Sequence, residues 1–221
     1  MPEKILLVGG TGLTGGLLVR QLVEEGKGPA LHLLLRRSAV QDFGDAQIHV
    51  ADPASWPEEI STTEPDIVIS CLGSTMKKAG SKAAFAAIDR DLVGAVAEAS
   101  RKAGARQMIA VSSTMADSSA SSFYLRIKGE AEDLMRAQKF ERLDIVRPGL
   151  LRGERTGDAR LGEGLAILAS PVVDRLLHGS MRRYRSIAAR DVATAMRTLM
   201  TKCDVGSFVH ENDQIWKLAA V

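Results

Sequence analysis

A chain of 221 residues, 45% apolar and 25% charged, is long enough for one α/β domain with a substantial core and is neither fibrous nor disordered in composition. Its formal charge of +2 gives no electrostatic case for a nucleic acid or a membrane surface as partner. Two cysteines exclude a disulfide framework; the four histidines, His32, His49, His178 and His210, have no metal-ligand spacing, so no metal site is expected.

The chain starts Met-Pro-Glu-Lys and reaches glycine after four more apolar residues, too few for a secretory h-region, and no apolar run approaches the length of a membrane span. Together with the cysteine usage, this predicts a cytoplasmic protein.

Ile5 to Val8 reads as a strand buried on both faces. Glycines follow at Gly9, Gly10, Gly12, Gly15 and Gly16, and then Leu17, Leu18, Val19, Leu22 and Val23 form an apolar face at helical spacing. Strand, glycine turn and helix is the arrangement that sets a helix N-terminus against a phosphate. In it Gly9 allows the sharp turn, Gly12 lets a pyrophosphate approach the backbone, and Gly15 lets the helix pack closely on the sheet. The spacing is G-x-x-G-x-x-G. A glycine-rich β–α turn that binds nothing has the same local pattern.

Glu25 to Pro29 stops the helix, and Leu31 to Leu35 reads as the second strand, ending at Arg36-Arg37-Ser38. In a dinucleotide-binding unit this strand end lies beside the adenosine ribose, where an acid bonds the 2′-hydroxyl and an arginine accommodates a 2′-phosphate. Two arginines and no acid favour NADP(H) over NAD(H). The alternative is a solvated basic strand end. Gln47 to Val50 is a third strand; Asp52 after it either accepts from the adenine amino group or starts the turn before Pro53. Trp56 to Ile60 is one helical turn. Asp66 to Cys71 is the fourth strand, and Cys71-Leu72-Gly73 at its end is a further place for backbone to meet the cofactor. Met76 to Ser81 reads as a polar loop. A long helix covers about Lys82 to Ala103 and is ended by Gly104.

Arg106 to Val111 is the fifth strand, ending in Ser112-Ser113-Thr114. A loop from Ala116 to Ser121 leads into a helix from Ser122 to Lys139, on which Tyr124 and Lys128 stand four apart and share a face. Leu143 to Arg147 is the sixth strand, followed by Arg147-Pro148-Gly149 as a last cofactor-side loop. From Arg152 to Arg190 the chain holds eight arginines, no lysine and four acids. It reads as a loop, a helix near Leu161 to Leu177, and a second loop through Met181 to Arg185, with Arg182, Arg183 and Arg185 favouring an anionic substrate. A helix follows Asp191, and Phe208 to His210 adds a short edge strand. Six β–α alternations predict an α/β, Rossmann-type, doubly wound parallel sheet across one domain, residues 1–221, with about 151–190 as a small substrate-side lid.

Ligands of such sheets bind outside the carboxyl ends of the strands, where all these candidates fall. Reduction of a carbonyl needs a hydride donor and a proton donor. A tyrosine, with a reference pKa near 10, needs a neighbouring cation to serve as acid–base group; Lys128 is placed to be that cation and to bond the nicotinamide ribose. A serine at the adjacent strand end can hold the substrate oxygen.

GGTGLTGG, LLLRRS, CLGST, VSSTMAD, YLRIKGEAE and VRPGLL, in this order, resemble the short-chain dehydrogenase/reductase superfamily, and within it the atypical Tat-interacting-protein-like oxidoreductases, over about residues 4 to 200. The resemblance implies an extended Rossmann fold, NADPH bound by Gly9, Thr11, Gly12, Leu13, Thr14, Arg36 and Arg37, and a catalytic group of a serine, Tyr124 and Lys128. The serine maps to Ser112 or Ser113, with Thr114 on a shifted alignment; the twelve-residue spacing to Tyr124 favours Ser112. The superfamily's supporting asparagine has no match. The function expected is therefore NADPH-dependent reduction of a small carbonyl compound by a monomer or homodimer. The alternative is an NADP(H)-sensing module that binds a protein partner with little turnover.

Overall fold

The computed structural model describes residues 3–153 and 178–220. Its strands are β1 (Ile5–Val8), β2 (Leu31–Leu35), β3 (Gln47–Val50), β4 (Ile67–Ser70), β5 (Gln107–Val111), β6 (Arg142–Arg147), β7 (Leu151–Arg152), β8 (Ile187–Ala188) and β9 (Gly206–Glu211). Seven of them form one sheet in the order β3-β2-β1-β4-β5-β6-β9. Every pairing in it is parallel. This is the doubly wound α/β sheet that the β–α alternation predicts.

The helices are α1 (Leu13–Glu24), α2 (Trp56–Thr63), α3 (Met76–Ala79), α4 (Lys82–Ala86), α5 (Val93–Lys102), α6 (Phe123–Ala137), α7 (Ala189–Leu199) and α8 (Asn212–Ala219). They cover both faces, as a sheet of apolar parallel strands requires. Successive residues of β1 point to opposite sides. Ile5 and Leu7 enter a core with Leu18, Leu22, Val192 and Met196, while Leu6 and Val8 enter a second with Trp56, Ile60, Val96 and Met135.

Four features depart from the sequence reading. The stretch Met76 to Ser81 is not a plain loop: the Thr75 hydroxyl accepts from the Lys78 amide at 3.2 Å and starts the short helix α3. The long helix runs from α4 into α5 as expected, but through a π-helical segment, Ala87–Leu92. The chain after β6 makes a second, two-stranded sheet, β7 with β8. The edge strand is longer than Phe208 to His210: β9 pairs with all of β6, and a further helix, α8, follows it.

Polar groups secure that edge. Asp144 in β6 is fully buried and accepts from Arg142 Nε at 2.6 Å and Nη2 at 2.8 Å and from Gln107 at 3.1 Å, with His210 Nε2 at 2.8 Å. Burial pushes the Asp144 carboxyl up, but the hydrogen bonds from His210, Arg142 and Gln107 outweigh it and hold it below its ordinary value. The helix expected near Leu161 to Leu177, and with it most of the lid, lies outside the described residues.

Candidate functional site

Parallel pairing brings the loops after β1 to β6 to one edge of the sheet. The strand order reverses between β1 and β4, and a crevice forms at such a switch point. Gly9 sits at φ +83°, and a Cβ on it would lie 2.5 Å from the carbonyl of Cys71, so the loops after β1 and β4 touch backbone to backbone. A Cβ on Gly15 would run into the Gly9 carbonyl oxygen; its absence lets α1 close on the turn. Gly12 is the N-cap of α1 with no side-chain cap, and the first turn holds no acid. The amides of Leu13 and Thr14 are therefore left without intrahelical acceptors, beside the exposed Thr11 and Gly12. Uncapped amides, no competing carboxylate and backbone bare of Cβ atoms suit a diphosphate.

Arg36 and Arg37 follow β2 and are exposed. Neither guanidinium has a hydrogen-bond or ion-pair partner among the described residues. Asp52 accepts from the Ala54 amide at 2.9 Å, which is the turn-starting geometry before Pro53. Leu72 is buried, and burial pushes the Cys71 thiol up to about 12, so this cysteine is a packing group. Gly73 is exposed, and a Cβ there would stand 3.6 Å from Lys128 Nζ.

Helix α6 carries Tyr124 and Lys128 on one face, as their spacing requires. The Tyr124 ring packs on the buried ring of Phe85, with centroids 5.7 Å apart, and is 38% exposed. Lys128 is buried, and its Nζ lies 2.7 Å from Asp89 Oδ1. The serines differ. Ser112 is buried and donates to Glu132 Oε1 at 2.6 Å. Ser113 is half-buried and, among the described residues, donates only to the adjacent Thr114 carbonyl at 3.2 Å; the Thr114 hydroxyl reaches Glu211 at 3.4 Å.

Glu132 is the hub of a buried cluster. It also accepts from Arg147 Nε at 2.8 Å and Nη2 at 2.6 Å, and from Arg136 at 2.8 Å. Arg147 further donates to the Ala116 carbonyl at 2.9 Å, tying the loop after β5 to α6. These hydrogen bonds to Glu132 raise the pKa of Arg147, and its guanidinium is engaged by protein groups. Pro148 is buried. The Gly149 amide donates to the buried Asn212 at 3.2 Å, and Asn212 in turn donates to the Arg185 carbonyl. Of the three arginines assigned to substrate, Arg182 stands 3.7 Å from Asp213 and the Arg183 guanidinium lies 5.4 Å from the Tyr184 ring; Arg185 is not free.

Two residues of this region were not singled out from sequence, Asp89 and Glu132. Glu132 follows Lys128 by four, so the helical period that joins Tyr124 to Lys128 also reaches it. Asp89 gave a weaker signal, one of two acids in the charged triplet Asp89-Arg90-Asp91 of a helical stretch.

Comparisons with known proteins agree with the fold. A family model described as NAD(P)H-binding matches residues 9–202. The protein fmp52, mitochondrial, of Emericella nidulans is 32% identical over 186 residues, 81% of this chain and 79% of the relative. The protein HTATIP2 of Rattus norvegicus is 32% identical over 168 residues, 74% of this chain and 69% of the relative. Among solved structures, the Bordetella bronchiseptica enzyme WbmH in complex with NAD+ superimposes with a TM-score of 0.72 at 14% identity, over 95% of this chain and 75% of that one. UDP-glucose 4-epimerase of Thermotoga maritima gives 0.69 at 18%, over 98% and 81%. At such identities these two show the fold alone. The mitochondrial names of the fungal relatives overturn the cytoplasmic expectation. That expectation rested on a short apolar start and few cysteines, neither of which separates the two compartments. Among the described residues no helix is long and apolar enough to cross a membrane.

Proposed function

The chain belongs to the NAD(P)H-binding family, in its atypical short-chain dehydrogenase/reductase branch with HTATIP2 and Fmp52, and from that premise we propose that it is an NADPH-dependent oxidoreductase of a small carbonyl compound. The observation that carries the choice of cofactor is the pair of exposed guanidinium groups, Arg36 and Arg37, without partners at the carboxyl end of β2. They stand where the extra phosphate of NADP(H) comes in this fold, and nothing among the described residues competes for them. The amides of Leu13 and Thr14 hold the diphosphate.

When bound, the reduced nicotinamide supplies the hydride. The protein's own groups do the rest. Tyr124 donates its phenolic proton to the carbonyl oxygen as negative charge gathers there. The Lys128 ammonium holds the ribose hydroxyls. Because Ser112 donates into Glu132, the substrate-side hydroxyl in this reading is that of Ser113, donating to the same carbonyl oxygen. Phe85 backs the Tyr124 ring with apolar surface and keeps water from that side. Arg182 and Arg183, both exposed, serve an anionic substrate.

Steady-state NADPH oxidation across a panel of small carbonyl compounds tests the reading, with Tyr124→Phe as control. Turnover that falls about a hundredfold or more in the variant, at unchanged NADPH affinity, is the expected result. One observation favours a second reading: Ser112 and Lys128 both lie against buried carboxylates, an arrangement that also suits a protein that binds NADPH and signals through a partner. NADPH binding without turnover of any compound by the unaltered protein would replace the first reading with this one.

A further inference from the structure

We propose that Asp89 is the positioning residue for Lys128, holding the ammonium at the nicotinamide end of the crevice, so that affinity for the nicotinamide half of the cofactor depends on the Asp89 carboxylate. The inference deepens the oxidoreductase reading and rests on it.

The two side chains come from elements far apart in sequence. Asp89 belongs to the π-helical segment Ala87–Leu92, and Lys128 to α6. Asp89 is fully buried, and its Oδ2 accepts from the Ser74 amide at 2.8 Å. Its other oxygen, Oδ1, faces Lys128 Nζ at 2.7 Å. One carboxylate therefore ties the loop after β4 to helix α6 across the site. A π-helical turn carries one more residue than an α turn and re-aims the side chains on it, which is why such turns recur at functional sites.

The ammonium is held without being used up. Its contact with Oδ1 is an ion pair that lacks hydrogen-bond alignment, and the Lys128 ammonium makes no hydrogen bond to any described residue. A buried ammonium with donors to spare is a costly arrangement unless a ligand completes it. The open side is at Gly73. A Cβ there would stand 3.6 Å from Nζ and 3.7 Å from Asp89 Oδ1, so with glycine no side chain at position 73 packs over the pair. Adjacent ribose hydroxyls suit those donors. Asp89 neutralises the charge, fixes its place and leaves the donors to the ligand.

Two probes and three variants test this. NADPH spans the whole crevice; adenosine 2′,5′-bisphosphate reaches only the adenosine half and never meets Lys128. Asp89→Asn keeps an acceptor for the Ser74 amide and removes the charge. The expected result is a loss of NADPH affinity of about tenfold, the scale of one charge-assisted hydrogen bond, with affinity for the bisphosphate unchanged. Equal loss for both probes, or loss for neither, overturns the proposal. Removing one member of a buried pair can itself unfold a protein, so the double variant Asp89→Asn/Lys128→Met, which has no unpaired charge, is measured beside Lys128→Met. If Asp89 acts through Lys128, these two bind NADPH equally; weaker binding by the double variant overturns the proposal. If the unaltered protein binds neither probe, the oxidoreductase reading falls and takes this inference with it, an outcome distinct from the other two.

Discussion

Replacement of Arg36 and Arg37 by alanine separates the 2′-phosphate from the rest of the cofactor. Both guanidinium groups are exposed and without a partner among the described residues, so no ion pair there is broken and no buried surface is opened. Folding stability should stay within about 0.5 kcal/mol of the parent. A hydrogen bond to a charged group contributes about 1.5–3 kcal/mol, and about 1.4 kcal/mol is a decade in affinity. Each arginine that meets the phosphate therefore accounts for roughly ten- to hundredfold in NADPH binding. NADH lacks that phosphate, and its affinity should fall less than about threefold. Titration calorimetry of the parent, each single variant and the double variant with both cofactors gives the numbers. Raising the salt should weaken NADPH binding by the parent more than by the double variant, because exposed charges are screened over about 10 Å at 0.1 M. Equal losses for NADPH and NADH would refute the assignment of these arginines to the extra phosphate.

Other outcomes follow from the geometry. Glu132→Ala strands the Arg147 guanidinium and the Ser112 hydroxyl in a buried place, and should cost about 3–5 kcal/mol in urea unfolding, against a smaller loss for Glu132→Gln. Gly15→Ala drives a methyl group into the Gly9 carbonyl and should cost about 1–3 kcal/mol, read as a lower thermal midpoint, together with weaker dinucleotide binding. The pKa of His32 is lowered, first by burial and then by the charges of His49 and Lys4, so the unfolded chain takes up its proton more readily than the folded one. Its contribution to stability is complete above pH about 6.5 and is lost as the pH falls below that value; the depressed Asp144 carboxyl acts in the same direction below about 3.8. Urea unfolding of the parent and His32→Gln from pH 7.5 to 5 should show the parent losing more stability; parallel curves would count against the His32 assignment.

What was legible in the sequence is what apolar patterning and local glycine chemistry write. The runs Ile5–Val8 and Leu31–Leu35 became strands at those bounds, Arg106 to Val111 became one a residue shorter, Gln107–Val111, and the turn from Gly9 to Gly15 became the start of α1. The edge strand β9 was read too short because its attachment is polar, His210 against a buried Asp144 that looked unremarkable within its own strand. The site was legible as a set of loops and not as a network. Ser112 and Tyr124 are adjacent by topology, but the carboxylate that claims the Ser112 hydroxyl lies twenty residues away on α6, and no local rule links them. Asp89 was hidden for a different reason. Its helix carries a bulged turn, and a strict α-helical period drawn through Phe85 and Leu92 does not report which side the intervening residues face. The compartment was not legible at all, since fold and thiol count are indifferent to it.

The bulged turn also carries a warning for anyone aligning or redesigning this helix. An α-helix advances about 100° per residue, so one supernumerary residue rotates everything upstream by that angle relative to everything downstream. Deleting a single residue between Ala87 and Leu92 would leave a more regular helix, yet it would swing Phe85 off the Tyr124 ring or turn Val93 and Val96 out of the core. At this spot the irregular coil is the working part, and straightening it would cost the molecule its aim.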